Sequence, residues 1–206
     1  MRLEEKLSNS VKENRRSSVL WSQWCFDREM LSKSLNVVSA LFPHYSLHDS
    51  SHSLSIIQEI EKILGSTIER LSYIDVWLIL EAAYWHDIGM IVTYQEKKEI
   101  LDSMGFNDFL VEKSNCSTDL AQFAKEIILY QQNQSKLKFV DLERAFTFVL
   151  AEFIRERHCS RSKDFLKKPE QVGIYTPKSS LINSRLFTIL GDIIESHGKP
   201  FDFVLE

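Results

Sequence analysis

The sequence predicts an all-α fold, and three observations carry that reading. Only six glycines and four prolines interrupt 206 residues, which favours long helices over many short strands. Apolar residues recur at three- and four-residue spacing in segment after segment. No segment alternates apolar and polar residues convincingly, as a half-buried strand would. A chain that is 44% hydrophobic and 26% charged has an ordinary globular balance. Its length suffices to bury roughly 70% of the unfolded surface.

The elements follow in order. Residues 1–16 are polar and predict at most a frayed helix. A helix is expected from about Val19 to Leu41, ending before Pro43 because the residue preceding proline avoids the helical region. Residues 42–53, FPHYSLHDSSHS, read as a loop entering a helix, with Asp49, Ser50 and Ser51 as N-cap types. That helix runs from about Ser51 to Leu64 and stops at Gly65. Its predicted apolar stripe is Ile56, Ile60, Ile63 and Leu64, and His52, four residues before Ile56, shares that face.

The most apolar stretch, YIDVWLILEAAYWHDIG, predicts a helix from about Tyr73 to Ile88, buried nearly all round, with Gly89 at its end. His86 and Asp87 are thereby placed in the last turn of a core helix. Further helices are expected at 94–104, 107–113 and 118–132, from about Asp141 to Glu156, and from about Leu181 to Ser196, with 169–180 as a loop. Trp21, Trp24, Trp77 and Trp85 are assigned to the core. The expected organisation is an N-terminal helical extension over 1–40 and a main domain over 41–206.

Charge and cysteine content exclude several function classes. A net charge of −4 lacks the basic footprint of a nucleic-acid binder but leaves room for a small phosphorylated ligand. Cys25, Cys116 and Cys159 form no CxxC pair, which argues against a disulfide framework or a cysteine–zinc site. No signal peptide and no membrane-length apolar run is visible, and the expected location is the cytoplasm.

Six histidines occur: His44, His48, His52, His86, His158 and His197. The adjacent pair His86–Asp87 closes the apolar helix, about 34 positions after His52 on another core-facing stripe. Two imidazoles and a carboxylate suit a divalent ion that keeps open water positions, and a carboxylate has a second oxygen with which to bridge to another ion. These residue types fit Mn, Fe, Ni, Zn, Co or, less well, Mg, as one ion or two. The segment from Arg155 to Lys168 carries six basic residues against two acidic ones. That strip reads either as a solvated helix-end face or as a site for phosphate.

The segments LHDSSHSLSII and LEAAYWHDIGM resemble the H…HD core of the HD-domain superfamily of metal-dependent phosphohydrolases. FPHYSLHDSSHS, IRERHCSRS and IIESHG look closest to bacterial HD domains fused ahead of a chaperone-type GHKL ATPase. The resemblance spans about residues 40–198. It implies an HD-domain or phosphodiesterase-like bundle in which His52, His86 and Asp87 hold an ion, with His158 and His197 holding a second. The alternative for His158 and His197 is a favourable cation at a helix C-terminus.

The spacing of His48 and His52 is similar to the HNxxH segment of cyclic-nucleotide phosphodiesterases. That likeness implies His48 as proton donor, against an exposed loop histidine; Asp49 reads as a helix cap or a catalytic group. Asp87 is the other catalytic candidate, and Arg155, Arg157 and Arg161 are the candidate phosphate ligands. The final aspartate of the resembled family comes from a helix beyond the last histidine. Here only Asp192 and Asp202 stand nearby, so the chain is read as a fragment whose continuation supplies that ligand.

The expected function is metal-dependent hydrolysis of a nucleotide or other phosphoester through a metal-activated water. The alternative is a regulatory module that binds nucleotide or metal and controls an attached ATPase. Neither a membrane nor a nucleic acid is expected as a partner.

Overall fold

The computed structural model describes residues 1–44, 49–175, 182 and 184–199. Among them are ten α-helices, three short 3₁₀ turns and no strand. The helices are α1 (Arg2–Ser10), α2 (Arg15–Leu41), α3 (Ser50–Leu64), α4 (Tyr73–Trp85), α5 (Tyr94–Leu101), α6 (Met104–Ser114), α7 (Asp119–Gln131), α8 (Phe139–Arg155), α9 (His158–Lys167) and α10 (Ser184–Ser196).

Helix α4 is the centre. Its N-terminus is fixed by a capping box, in which Ser72 Oγ accepts from the Asp75 amide while Asp75 accepts from the Ser72 amide. Val76, Trp77, Leu80, Glu81, Ala83, Tyr84 and Trp85 are all buried, as the apolar run predicts. Helices α1, α2, α3 and α10 pack around it. Trp24 of α2 meets Tyr84 edge-on with ring centroids 5.2 Å apart, an arrangement that contributes about 0.5–1.5 kcal/mol beyond area burial.

Three expectations about single helices are corrected. The polar N-terminus forms the ordered helix α1, because Leu3 and Leu7 lie one turn apart and are both 0% exposed. Helices α1 and α2 share one continuous core with α3–α10. On α3, Ile57 and Ser53 face inward while Ile63 is 83% exposed, so the stripe is rotated from the predicted one. Finally, α4 stops at Trp85, and His86 and Asp87 lie just beyond it, followed by a 3₁₀ turn over Ile88–Met90.

Gly89 does not end the helix through a left-handed backbone, unlike Gly65 with its φ of 53°. It is needed for close approach. A Cβ at 89 would stand 2.0 Å from the His158 carbonyl oxygen and 2.7 Å from the Ser162 amide nitrogen. Both are backbone atoms of α9, which cannot yield as a side chain would.

Glu81 and Asp27 are buried at the α2–α4 interface, 0% and 2% exposed. Trp85 donates to one Glu81 oxygen at 3.2 Å and Gln23 to one Asp27 oxygen at 2.8 Å. The second oxygen of each carboxyl has no hydrogen-bond partner among the described residues. Burial pushes the Asp27 carboxyl up to about 7. Burial, and then the Asp27 charge, push Glu81 well above the carboxylate range.

The folded state therefore holds protons that the unfolded chain releases, so stability falls as pH rises from about 4 towards 7. Asp27→Asn, which cannot ionise, is expected to raise the unfolding midpoint by at least about 2 °C at pH 8 and to change it little at pH 4, measured by circular dichroism. Gly89→Ala is expected to destabilise by about 2 kcal/mol or more in urea unfolding, since backbone must move to admit the methyl.

Candidate metal centre

The centre assembles from four chain segments. Asp49 caps α3, its Oδ1 accepting from the amides of Ser51 at 2.9 Å and His52 at 3.3 Å. That cap fixes the first turn of α3, from which His52 projects. Hydrogen bonding from Ser51 holds the Asp49 carboxyl below the usual range. His86 and Asp87 follow α4, His158 and Cys159 open α9, and His197 follows α10.

Asp87, 3% exposed, lies between these groups. Its Oδ2 is 2.9 Å from His86 Nε2 and 3.7 Å from His52 Nε2, while its Oδ1 is 3.5 Å from His158 Nε2. His158 Nε2 is 2.9 Å from His197 Nε2. Two groups of donors result, His52–His86–Asp87 and His158–Cys159–His197, each with its ligand atoms within 4.8 Å of one another.

Three of the imidazoles are oriented by the same device. Nδ1 of His86 lies 3.1 Å from the Ala83 carbonyl, that of His158 2.5 Å from the Arg155 carbonyl, and that of His197 3.0 Å from the Ile194 carbonyl. A carbonyl can only accept, so each Nδ1 carries a proton, which leaves each Nε2 as the nitrogen that would take an ion. Burial holds the His158 imidazole below the usual histidine range. His158 Nε2 and His197 Nε2 approach to 2.9 Å, close enough to share a proton or to bind one ion beside them. The donor set thus fits a divalent ion.

Two consecutive residues of α9 clamp the turn after α4. Ser162, 0% exposed, donates to the His86 carbonyl at 2.7 Å and accepts from the Gly89 amide at 2.7 Å. Arg161 donates to the carbonyls of Gly89 at 2.8 Å and Ile91 at 2.7 Å, and it pairs with Glu96.

The HD-CE family model matches residues 42–206, a span that holds every one of these groups. This chain belongs to the HD-CE family. No curated protein and no solved structure matches it.

The HD-CE domain brings together five of the residues singled out in the sequence: His52, His86, Asp87, His158 and His197. His48 lies outside the described residues, as does Asp202. Asp49 is a helix cap. His44 stacks on Phe148 with ring centroids 3.5 Å apart. Asp192 pairs with Lys163 at 2.8 Å on the surface of α10.

The basic strip of the HD-CE domain is largely engaged by its own chain. Arg161, expected to meet phosphate, is committed to main-chain carbonyls and Glu96. Arg155 pairs with Glu152 at 2.5 Å, and Arg157 lies 3.9 Å over the Phe153 ring while donating to the Phe153 carbonyl. Cys159, which its spacing from the other cysteines does not single out, joins His158 and His197, and its adjacency to His158 is the sequence signal for it. None of the described helices is long and apolar enough to cross a membrane.

Ser162→Ala leaves the Gly89 amide without a partner and the His86 carbonyl without a donor. It is expected to cost about 1–3 kcal/mol in denaturant unfolding. The ring resonances of His86 and His158 should shift together in NMR spectra, which an isolated core defect would not produce.

Proposed function

We propose that this HD-CE domain is a metal-dependent phosphohydrolase acting on a nucleotide or another phosphoester. One observation carries the reading: Asp87 presents one oxygen to each of two histidine groups, so a single carboxylate joins two candidate ion sites. His52, His86 and Asp87 would hold one divalent ion, and His158 and His197 a second. Such an ion, when bound, polarises a phosphoryl oxygen and lowers the pKa of a bound water to about 7.

The protein's own groups do the rest. The carbonyls of Ala83, Arg155 and Ile194 keep three imidazoles in the donor tautomer. The clamp from Ser162 and Arg161 holds Asp87 in place during turnover. Arg155 and Arg157, just before His158 and each with a side chain more than 40% exposed, are the proposed phosphate ligands and would exchange their contacts with Glu152 and Phe153 for phosphoryl oxygens. His48 is the proposed proton donor to the leaving oxygen.

A second reading is favoured by the commitment of Arg161 to the protein's own backbone. In it the domain binds nucleotide or metal without turnover and controls an attached ATPase module. A panel of nucleotides and simple phosphoesters, assayed with Mn²⁺, Co²⁺ or Mg²⁺, separates the two. Turnover that falls by at least about 10²-fold in Asp87→Asn, with bound metal lost in parallel, supports hydrolysis. Turnover unchanged in that variant removes the mechanism, and nucleotide binding without turnover in the unaltered chain favours regulation.

A further inference from the structure

We infer that Cys159 is a thiolate ligand to the ion held by His158 and His197, which makes the two halves of the centre chemically unequal. The inference rests on the metal-centre reading above and goes beyond it, since that reading draws only on imidazoles and carboxylate.

The geometry points there without any ion in place. Metal–nitrogen bonds of about 2.0–2.1 Å and a metal–sulfur bond of about 2.3 Å separate the nitrogen and sulfur donors of a tetrahedral centre by roughly 3.5 Å. Cys159 Sγ lies 3.5 Å from His158 Nε2 and 3.6 Å from His197 Nε2. Both imidazoles have their Nδ1 protons tied to carbonyls, which leaves each Nε2 as the ligand atom, and the sulfur lies 3.7 Å from the His158 Nδ1 as well.

Residue 198 also borders the sulfur. A Cβ at Gly198 would stand 2.5 Å from it, so position 198 leaves the thiol its space only as glycine. Cys25 and Cys116, by contrast, belong to neither donor group.

Two nitrogens and a sulfur select a borderline ion such as Zn²⁺, Co²⁺ or Fe²⁺ and disfavour Mg²⁺. The other half, two nitrogens and a carboxylate, accepts harder ions as well. On binding, the ion takes the place of the thiol proton, which passes to solvent, and no oxidation or reduction is involved.

The test uses the full chain under reducing, oxygen-free conditions, titrated with Co²⁺. The expected result is a near-ultraviolet sulfur-to-cobalt charge-transfer band. That band is lost in Cys159→Ser, while the visible cobalt bands of the His52–His86–Asp87 half persist. Bound cobalt should also protect Cys159, but not Cys116, from iodoacetamide, located by peptide mass spectrometry. This second measurement decides the matter on the unaltered chain if Cys159→Ser fails to fold. Cobalt uptake with visible bands but no charge-transfer band, a band that survives Cys159→Ser, or unchanged alkylation of Cys159 overturns the inference and leaves the phosphohydrolase reading standing. No cobalt uptake at all overturns both.

Discussion

The contact between the turn after α4 and the first half of α9 is the constraint on which the rest of the structure depends. Residue 89 touches α9 backbone so closely that only a hydrogen fits in place of a side chain. Ser162 and Arg161 then satisfy the polar groups that such a turn exposes. A buried turn carries main-chain donors and acceptors that cost free energy if left unpaired. Here their partners come from α9 itself, so burying the turn and docking the helix are one event. That event puts His158 and Cys159 opposite His86 and Asp87.

The electrostatic layout follows from the same docking. Asp87 is surrounded by imidazoles, and the other buried carboxyls among the described residues lie between α2 and α4. There Glu81 and Asp27 are sealed from water with only partial hydrogen bonding, and the fold keeps protons on them at a cost in stability. Trp85 links the two regions, since its indole binds Glu81 while the next residue begins the donor turn.

Much of the fold was legible because strong local signals coincide. The apolar run around Trp77 and Leu80, the cap at Asp49 and the stop at Gly65 each have a short-range cause that spacing alone exposes. The histidine and aspartate positions were readable for a different reason, namely their likeness to a known motif. What escaped was set by tertiary contact.

Leu3 and Leu7 form an ordered helix only because α2 and α4 offer a surface to cover, which no count of polar residues reveals. Arg161 reads as a free cation in a basic strip until the 72-residue separation to Gly89 is closed by folding. Cys159 and His197 are 38 residues apart in sequence and meet only across the α9–α10 packing.

One consequence of the α9 clamp concerns distance itself. His158 and Ser162 stand one helical turn apart, about 6 Å along the axis. The first faces the donors and the second grips the strand of backbone that carries the opposing donors. The gap across the centre is therefore gauged by a rigid rod and not by a loop. A ligand that demands a different spacing must lift α9 as a whole, against every bond that seats it, so the centre measures its occupants and does not mould itself to them.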